Sequence, residues 1–228
     1  MKRHSFSQRP SAFTLVEVLV IRALLSLLLF MAVPGLKGTT ASSKLGQTAD
    51  QFVQHMAIAR QTAIKENTPV EVRLYKYNNT GIAGNKVNSY SAWQMYRKRQ
   101  DMNDPTNYSL PLVNIPVLEN IAKVGTGIAL ADSKRWSSLV DDDSIDKGRE
   151  LIRGLVPGVR ETEAEYKSFI IAPDGSTNLD RSGVKQWYVT FVDDLELRKS
   201  NSPEEMKPSN FVTIQIDPYT AGTRWFQP

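Results

Sequence analysis

Apolar and polar positions divide the chain into three regimes. From Phe13 to Leu36 apolar residues are nearly continuous. From Leu45 to Ala63 they recur with helical spacing, and from Val70 onward they alternate with polar residues. The first run is about 24 residues, or roughly 36 Å as a helix, enough to cross a hydrocarbon core of about 30 Å. Pro34 and Gly35 near its end mark a place for a kink.

Beyond them, Leu45, Ala49, Phe52, Met56, Ala59 and Ala63 are spaced 4, 3, 4, 3 and 4 apart, an apolar stripe on one helix face. Pro69 disfavours helix at Thr68, so this helix is expected to stop near Asn67. The period then changes to two. Val70, Val72 and Leu74 alternate with Glu71, Arg73 and Tyr75, the pattern of a half-buried strand, with Tyr90–Arg97 as its partner beyond a loop around Asn78–Asn85. Residues 101–116 read as mostly irregular, and Val117–Leu130 as one or two short strands. Asp141–Arg149 reads as an exposed acidic loop, and Ser200–Ser209 as a surface loop. Lys167–Ala172, a Pro173-Asp174-Gly175 turn, Gln186–Val192, a long strand over Phe211–Ile216 and an edge at Arg224-Trp225-Phe226 complete the series. The expected fold class is α+β: a long N-terminal transmembrane and stem helix packed against an antiparallel β-sheet.

Two charges interrupt the first run. Glu17 would cost about 2.5 kcal/mol or more near a bilayer centre, so a carboxylate there is expected to have a function and a partner. Arg22 lies five positions later, about 140° round the helix, and cannot pair well with Glu17 in the same chain. It either reaches the carboxylate of a neighbouring copy or snorkels towards headgroups. A secretory signal peptide cut near Thr40-Ala41 would have an uncharged core of about 7–15 residues, which both charges contradict. A plain single-span anchor fits the length but gives no reason for Glu17.

Charge adds little beyond orientation. Of 28 Lys and Arg residues, Lys2, Arg3 and Arg9 precede Phe13, leaving 25 against 24 Asp and Glu. The basic balance therefore lies ahead of the apolar run, as for an N-terminus kept on the cytoplasmic side. There is no cysteine, which excludes disulfides, thiol catalysis and thiolate metal sites.

The segment Ala12-Phe13-Thr14-Leu15-Val16-Glu17 resembles the processing site of type IV prepilins and type II secretion pseudopilins. The resemblance implies cleavage between Ala12 and Phe13 by a prepilin peptidase that also methylates the new amine of Phe13. Counted from Phe13, Glu17 falls fifth and Pro34 twenty-second, where that family carries glutamate and often proline. Ala12 stands where glycine is usual, and Arg22 where a neutral residue is expected. Further along, Ala57–Ile64 with Asn67 and Val70 is similar to the helix end of GspH/FimT-type minor pseudopilins. Phe169 with Pro173-Asp174-Gly175, and Thr213–Pro218 with Gly222, are similar to that group's hairpin and closing strand, the pattern being closest to the Verru_Chthon cassette protein D type.

This implies a leader at 1–12, a membrane and filament-core helix at 13–36, an amphipathic continuation at 37–67 and an extracytoplasmic β-rich domain at 68–228. The expected function is that of a non-enzymatic minor pseudopilin, held in the inner membrane and then built into a filament with Glu17 and Arg22 at the assembly interface. Its expected partners are the peptidase/methyltransferase, other pseudopilin subunits, the assembly platform and, before assembly, membrane lipid.

No catalytic set competes with that reading, and no cofactor or metal is expected. His55 is the one histidine after Phe13 and has no second ligand nearby. Asp141-Asp142-Asp143 with Asp146 lacks the glycine of a calcium loop, because Ile145 and Asp146 hold the fifth and sixth places. Trp93, Trp136, Trp187 and Trp225 could stack sugars but suit sheet packing better. Arg224 and Trp225 form a candidate ligand surface. Some minor pilins of this group bind DNA near the C-terminus, yet a single basic residue offers few phosphate contacts, so DNA is disfavoured. The alternative from another class is a membrane-tethered extracytoplasmic ligand-binding domain.

Overall fold

The computed structural model describes residues 15–80, 86–98, 114–116, 122–124, 127–155, 159–199 and 207–227. Within these, the side chains of 29–41, 79–80, 86–87, 114–116, 195 and 198–199 are not described. The chain forms two units, Met1–Ala41 and Ser42–Pro228. Helix α1 (Leu15–Glu66) begins in the first and ends in the second.

The predicted stripe decides what the second unit does with its part of α1. Leu45, Ala49, Phe52, Met56, Ala59 and Ala63 are all fully buried against the sheet. The helix stops as Pro69 requires, through a left-handed Asn67 (φ 49°). The Thr68 amide donates to the Ala63 carbonyl at 3.2 Å and the Asn67 amide to Ile64 at 3.4 Å, the paired bonds of a Schellman end. Arg97 reaches back to Glu66 at 3.0 Å and ties the helix end to the sheet.

Ten strands make one antiparallel sheet among the described residues. They are β1 (Val70–Thr80), β2 (Lys86–Lys98), β3 (Asn114–Pro116), β4 (Ala122–Lys123), β5 (Ile128–Leu130), β6 (Asp146–Arg153), β7 (Glu161–Ile171), β8 (Trp187–Asp193), β9 (Phe211–Ile216) and β10 (Thr223–Phe226). The spatial order is β10-β9-β8-β5-β2-β1-β7-β6, with β3 and β4 also pairing with β2. Two short helices, α2 (Ser138–Asp141) and α3 (Asp194–Lys199), flank β8. On the α1 side, Val72, Leu74, Trp93, Phe169, Phe191 and Ile214 join the buried stripe in one core. Phe52 meets Trp93 edge-on at 5.3 Å between centroids and Phe191 at 5.8 Å.

The expected architecture needs correction. The fold is mostly antiparallel sheet, and the long transmembrane stem helix packed on a sheet is not what forms it. Only the last part of α1, after Ala41, belongs to the sheet-bearing unit. No helix among the described residues is long and apolar enough to cross a membrane. Within Leu15–Leu28 the apolar run is interrupted by the charges of Glu17 and Arg22, and the side chains of 29–41 lie outside the described residues. Pro34 and Gly35, the expected kink, lie in helical backbone but outside the residues whose side chains are described.

Three local expectations also change. The loop expected from Asn78 begins later, because β1 continues to Thr80 and pairs there with Lys86; residues 81–85 lie outside the described ones. The expected acidic loop at Asp141–Arg149 turns into strand at Asp146, pairing with Ser168. Strand β1 is buried on both faces: Glu71, Arg73 and Tyr75 are 3%, 8% and 0% exposed. Most of the Ser200–Ser209 loop lies outside the described residues.

Candidate functional site

Three places carry the candidate residues. The first is the start of α1. Leu15 and Val16 are 80% and 69% exposed, and Val18, Leu19, Val20, Ile21, Leu24, Leu25, Leu27 and Leu28 are exposed as well. Glu17 and Arg22 are exposed on the same helical segment, and Ser26 Oγ donates to the Arg22 carbonyl at 2.8 Å. Ala12 and Phe13 lie outside the described residues. An apolar helical surface of this length in water would be costly, at about 25 cal/mol for each Å² left uncovered, so it needs a bilayer or other protein around it.

The second place is the end of the sheet where the Pro173-Asp174-Gly175 turn meets the end of α1 and joins the β9–β10 hairpin. Gly175 has φ +82°, the left-handed region the Pro173-Asp174-Gly175 turn requires. A Cβ there would stand 3.2 Å from Ile64 Cδ1 and 3.3 Å from Arg60 Nε, so the turn lies directly against α1. Asp174 accepts from the Ser176 amide at 2.8 Å and hydroxyl at 2.6 Å, which holds its carboxyl below the ordinary value. The Thr177 amide and hydroxyl then donate to the Pro218 carbonyl, joining this turn to the β9–β10 hairpin. Residues singled out separately in the sequence, Arg60, Ile64, Gly175 and Pro218, are thus neighbours.

Beside these turns lies an open cleft of about 480 Å³, with Arg181, Lys185, Trp187, Asp217, Tyr219 and Arg224 among its lining. Arg181 donates to Ser176 Oγ and the Thr177 carbonyl, and its guanidinium lies 5.7 Å from the Tyr219 ring centroid. Asp217 takes the Tyr219 amide and the Thr220 hydroxyl, and these bonds, with the Arg224 charge adding less, lower its carboxyl. Lys185, also in the lining, bonds Asp142 at 2.8 Å. Arg224 and Trp225 do not share one surface. Successive strand residues face opposite sides, and Arg224 lines the cleft while the 45%-exposed Trp225 does not.

The third place had no sequence signal. On the sheet face away from α1, Arg73 lies between the rings of Tyr96 and Tyr166, 4.6 Å from each centroid. It bonds Glu71 at 2.9 Å and Glu150 at 2.8 Å, while Lys98 stands 3.4 Å from Glu71. Tyr75 donates to Glu150 and lies 3.1 Å from the Tyr96 hydroxyl. Burial pushes the Glu71 carboxyl up, but Arg73, Lys98 and Ser168 outweigh it and hold the group below its ordinary value. Gly148 permits the arrangement, since a Cβ there would come within 2.6 Å of the Tyr166 ring. Glu71 and Arg73 look like the wet side of an alternating strand, so periodicity hides them.

The remaining candidates have structural work. Asp142 is already bonded by the Ser144 amide and hydroxyl and by Lys185, which hold its carboxyl well below the ordinary value. No group of acidic, histidine or cysteine side chains placed to hold a metal occurs among the described residues. Trp93 and Trp187 are core residues, Trp187 donating to the Asp180 carbonyl, and Trp136 packs on Phe211 at 5.1 Å. The four indoles therefore do not form a sugar-stacking surface. Comparison with protein-family models, with curated proteins and with solved structures found no match.

Proposed function

We propose that the chain is a filament subunit of the minor pseudopilin kind, processed between Ala12 and Phe13. The observation that carries this reading is the exposed apolar surface of Leu15–Leu28 immediately after the processing motif. Such a surface is satisfied by lipid before assembly and by the same segment of neighbouring subunits after it. The precursor is held at the inner membrane, with the sheet-bearing unit outside the cytoplasm, and there meets the peptidase/methyltransferase, its fellow subunits and the assembly platform.

Cutting before Phe13 creates an amine that is positively charged at neutral pH. Glu17 pairs with that amine on the next subunit, which fixes register and makes a carboxylate tolerable among apolar helices. Arg22 faces a neighbouring subunit or the headgroup layer. The test is Glu17→Val, which retains the apolar character and removes the charge. It is expected to leave the sheet-bearing unit folded and to abolish incorporation into filaments. Incorporation at the wild-type level would refute the pairing.

One observation favours a second reading, a membrane-tethered ligand-binding unit. The cleft beside Tyr219 and Arg224 is large enough for a small ligand. Crosslinking through positions 13 and 17 separates the two: intermolecular products support a filament, and their absence a tether. DNA is a poor fit to the cleft, because Arg181, Lys185 and Arg224 share it with Asp180 and Asp217.

A further inference from the structure

A hydrogen bond in the core joins α1 to β2, from the Trp93 indole Nε1–H to Nδ1 of His55, at 2.9 Å. We propose that this bond is a pH-sensitive latch, closed when His55 is neutral and opened by protonation at Nδ1, so that acid loosens α1 from the sheet. The inference goes beyond the filament reading and does not rest on it.

An indole nitrogen can only donate, so its partner must offer a lone pair. Neutral His55 does so only with its proton on Nε2; once protonated, both ring nitrogens are donors, and Nδ1–H would face Nε1–H. Trp93 has nowhere to take its donor. It is fully buried, edge-on to Phe52, Phe191 at 6.1 Å and the His55 ring at 5.9 Å. Opening the latch therefore strands a polar group in the core, or forces the imidazole and its stretch of α1 outward.

Among the described residues no ionised neighbour opposes the switch. On α1, Asp50 and Arg60 lie five residues to either side, about 140° round the helix from His55. On β4, Lys123 is exposed and alternates with the buried Ala122 that pairs with Trp93. On β2 the same-face neighbours Ser91 and Met95 carry no charge, nor do Leu130 of β5 and Phe191 of β8 in the core around the indole. Burial is what holds the imidazole below its ordinary value of 6.5. Among the described residues His55 is the one histidine, the side chain there whose ordinary value lies in this range.

The test uses the full-length chain in detergent micelles with ¹⁵N-labelled indoles, titrated from about pH 8 to about pH 5. The Trp93 resonance is identified by its loss in Trp93→Phe. It is expected to shift with a midpoint below 6.5, and the His55 ring signals are expected to titrate at that same midpoint. In His55→Gln, whose side-chain oxygen accepts but does not titrate, the shift is expected to vanish. A Trp93 signal indifferent to pH, a midpoint at or above 6.5, or an unchanged transition in His55→Gln overturns the proposal. Should His55→Gln fail to fold, agreement or disagreement of the two wild-type midpoints decides alone.

Discussion

Replacing Arg73 by methionine tests whether the charged cluster on the far face of the sheet is a structural necessity. The substitution retains an unbranched chain of similar reach and removes only the guanidinium. It breaks the bonds to Glu71 at 2.9 Å and Glu150 at 2.8 Å and the stacking on Tyr96 and Tyr166. Glu71, 3% exposed, is left with Lys98 at 3.4 Å as its ionic partner. Removing one member of a buried ion pair costs about 3–5 kcal/mol, mostly from the stranded charge. Lys98 remains and the Glu150 side chain, 28% exposed, can rehydrate, so the cost belongs at the low end, about 3 kcal/mol. Urea unfolding followed by tryptophan fluorescence measures it, against a total stability of about 5–15 kcal/mol for a domain. Adding Glu71→Leu to Arg73→Met removes the stranded carboxylate and should recover part of the loss. A single-variant cost under about 1 kcal/mol, or a double variant less stable than the single one, would refute the reasoning.

Phe52→Ala should cost about 3–5 kcal/mol in the same assay, because the ring is fully buried between Trp93 and Phe191 and leaves a cavity when removed; a loss below about 1 kcal/mol would mean that α1 does not pack there. Gly148→Ala should cost about 1–3 kcal/mol by pushing its methyl group into the Tyr166 ring, and an unchanged urea midpoint would contradict it. Glu71 carries a pH prediction. Its folded value is depressed, so the stability it contributes is complete above its ordinary value of 4.5 and is lost as pH falls through the lower folded value. The gap in stability between the wild type and Glu71→Gln should therefore narrow as pH drops below 4.5, and a gap that widens would reverse the sign.

The sequence is most legible where a single periodicity governs burial. Leu45 to Ala63 could be placed because one helix face packs on one sheet, and Asn67 because Pro69 limits what can follow. Strand β9 was readable for a similar reason: Val212, Ile214 and Ile216 face the core and alternate with partly exposed neighbours. Periodicity fails where both faces of a strand are covered, as in β1, since Glu71 and Arg73 look like solvent residues until Tyr96, Tyr166 and Glu150 close over them. It fails again in β6, whose exposed, charged residues look like a loop and become strand by pairing with β7. Sequence separation is the other obstacle. The turn at Gly175, the helix at Arg60 and the hairpin at Pro218 are far apart in the chain, and only the sheet order brings them together.

The filament reading rests on what happens at Phe13, and intact-mass and N-terminal peptide measurement of the protein from its native membrane fraction tests it most directly. The account predicts a chain that begins at Phe13 and carries one added methyl group on its amine. A chain that retains Met1–Ala12, begins near Thr40-Ala41, or begins at Phe13 with an unmodified amine would contradict it.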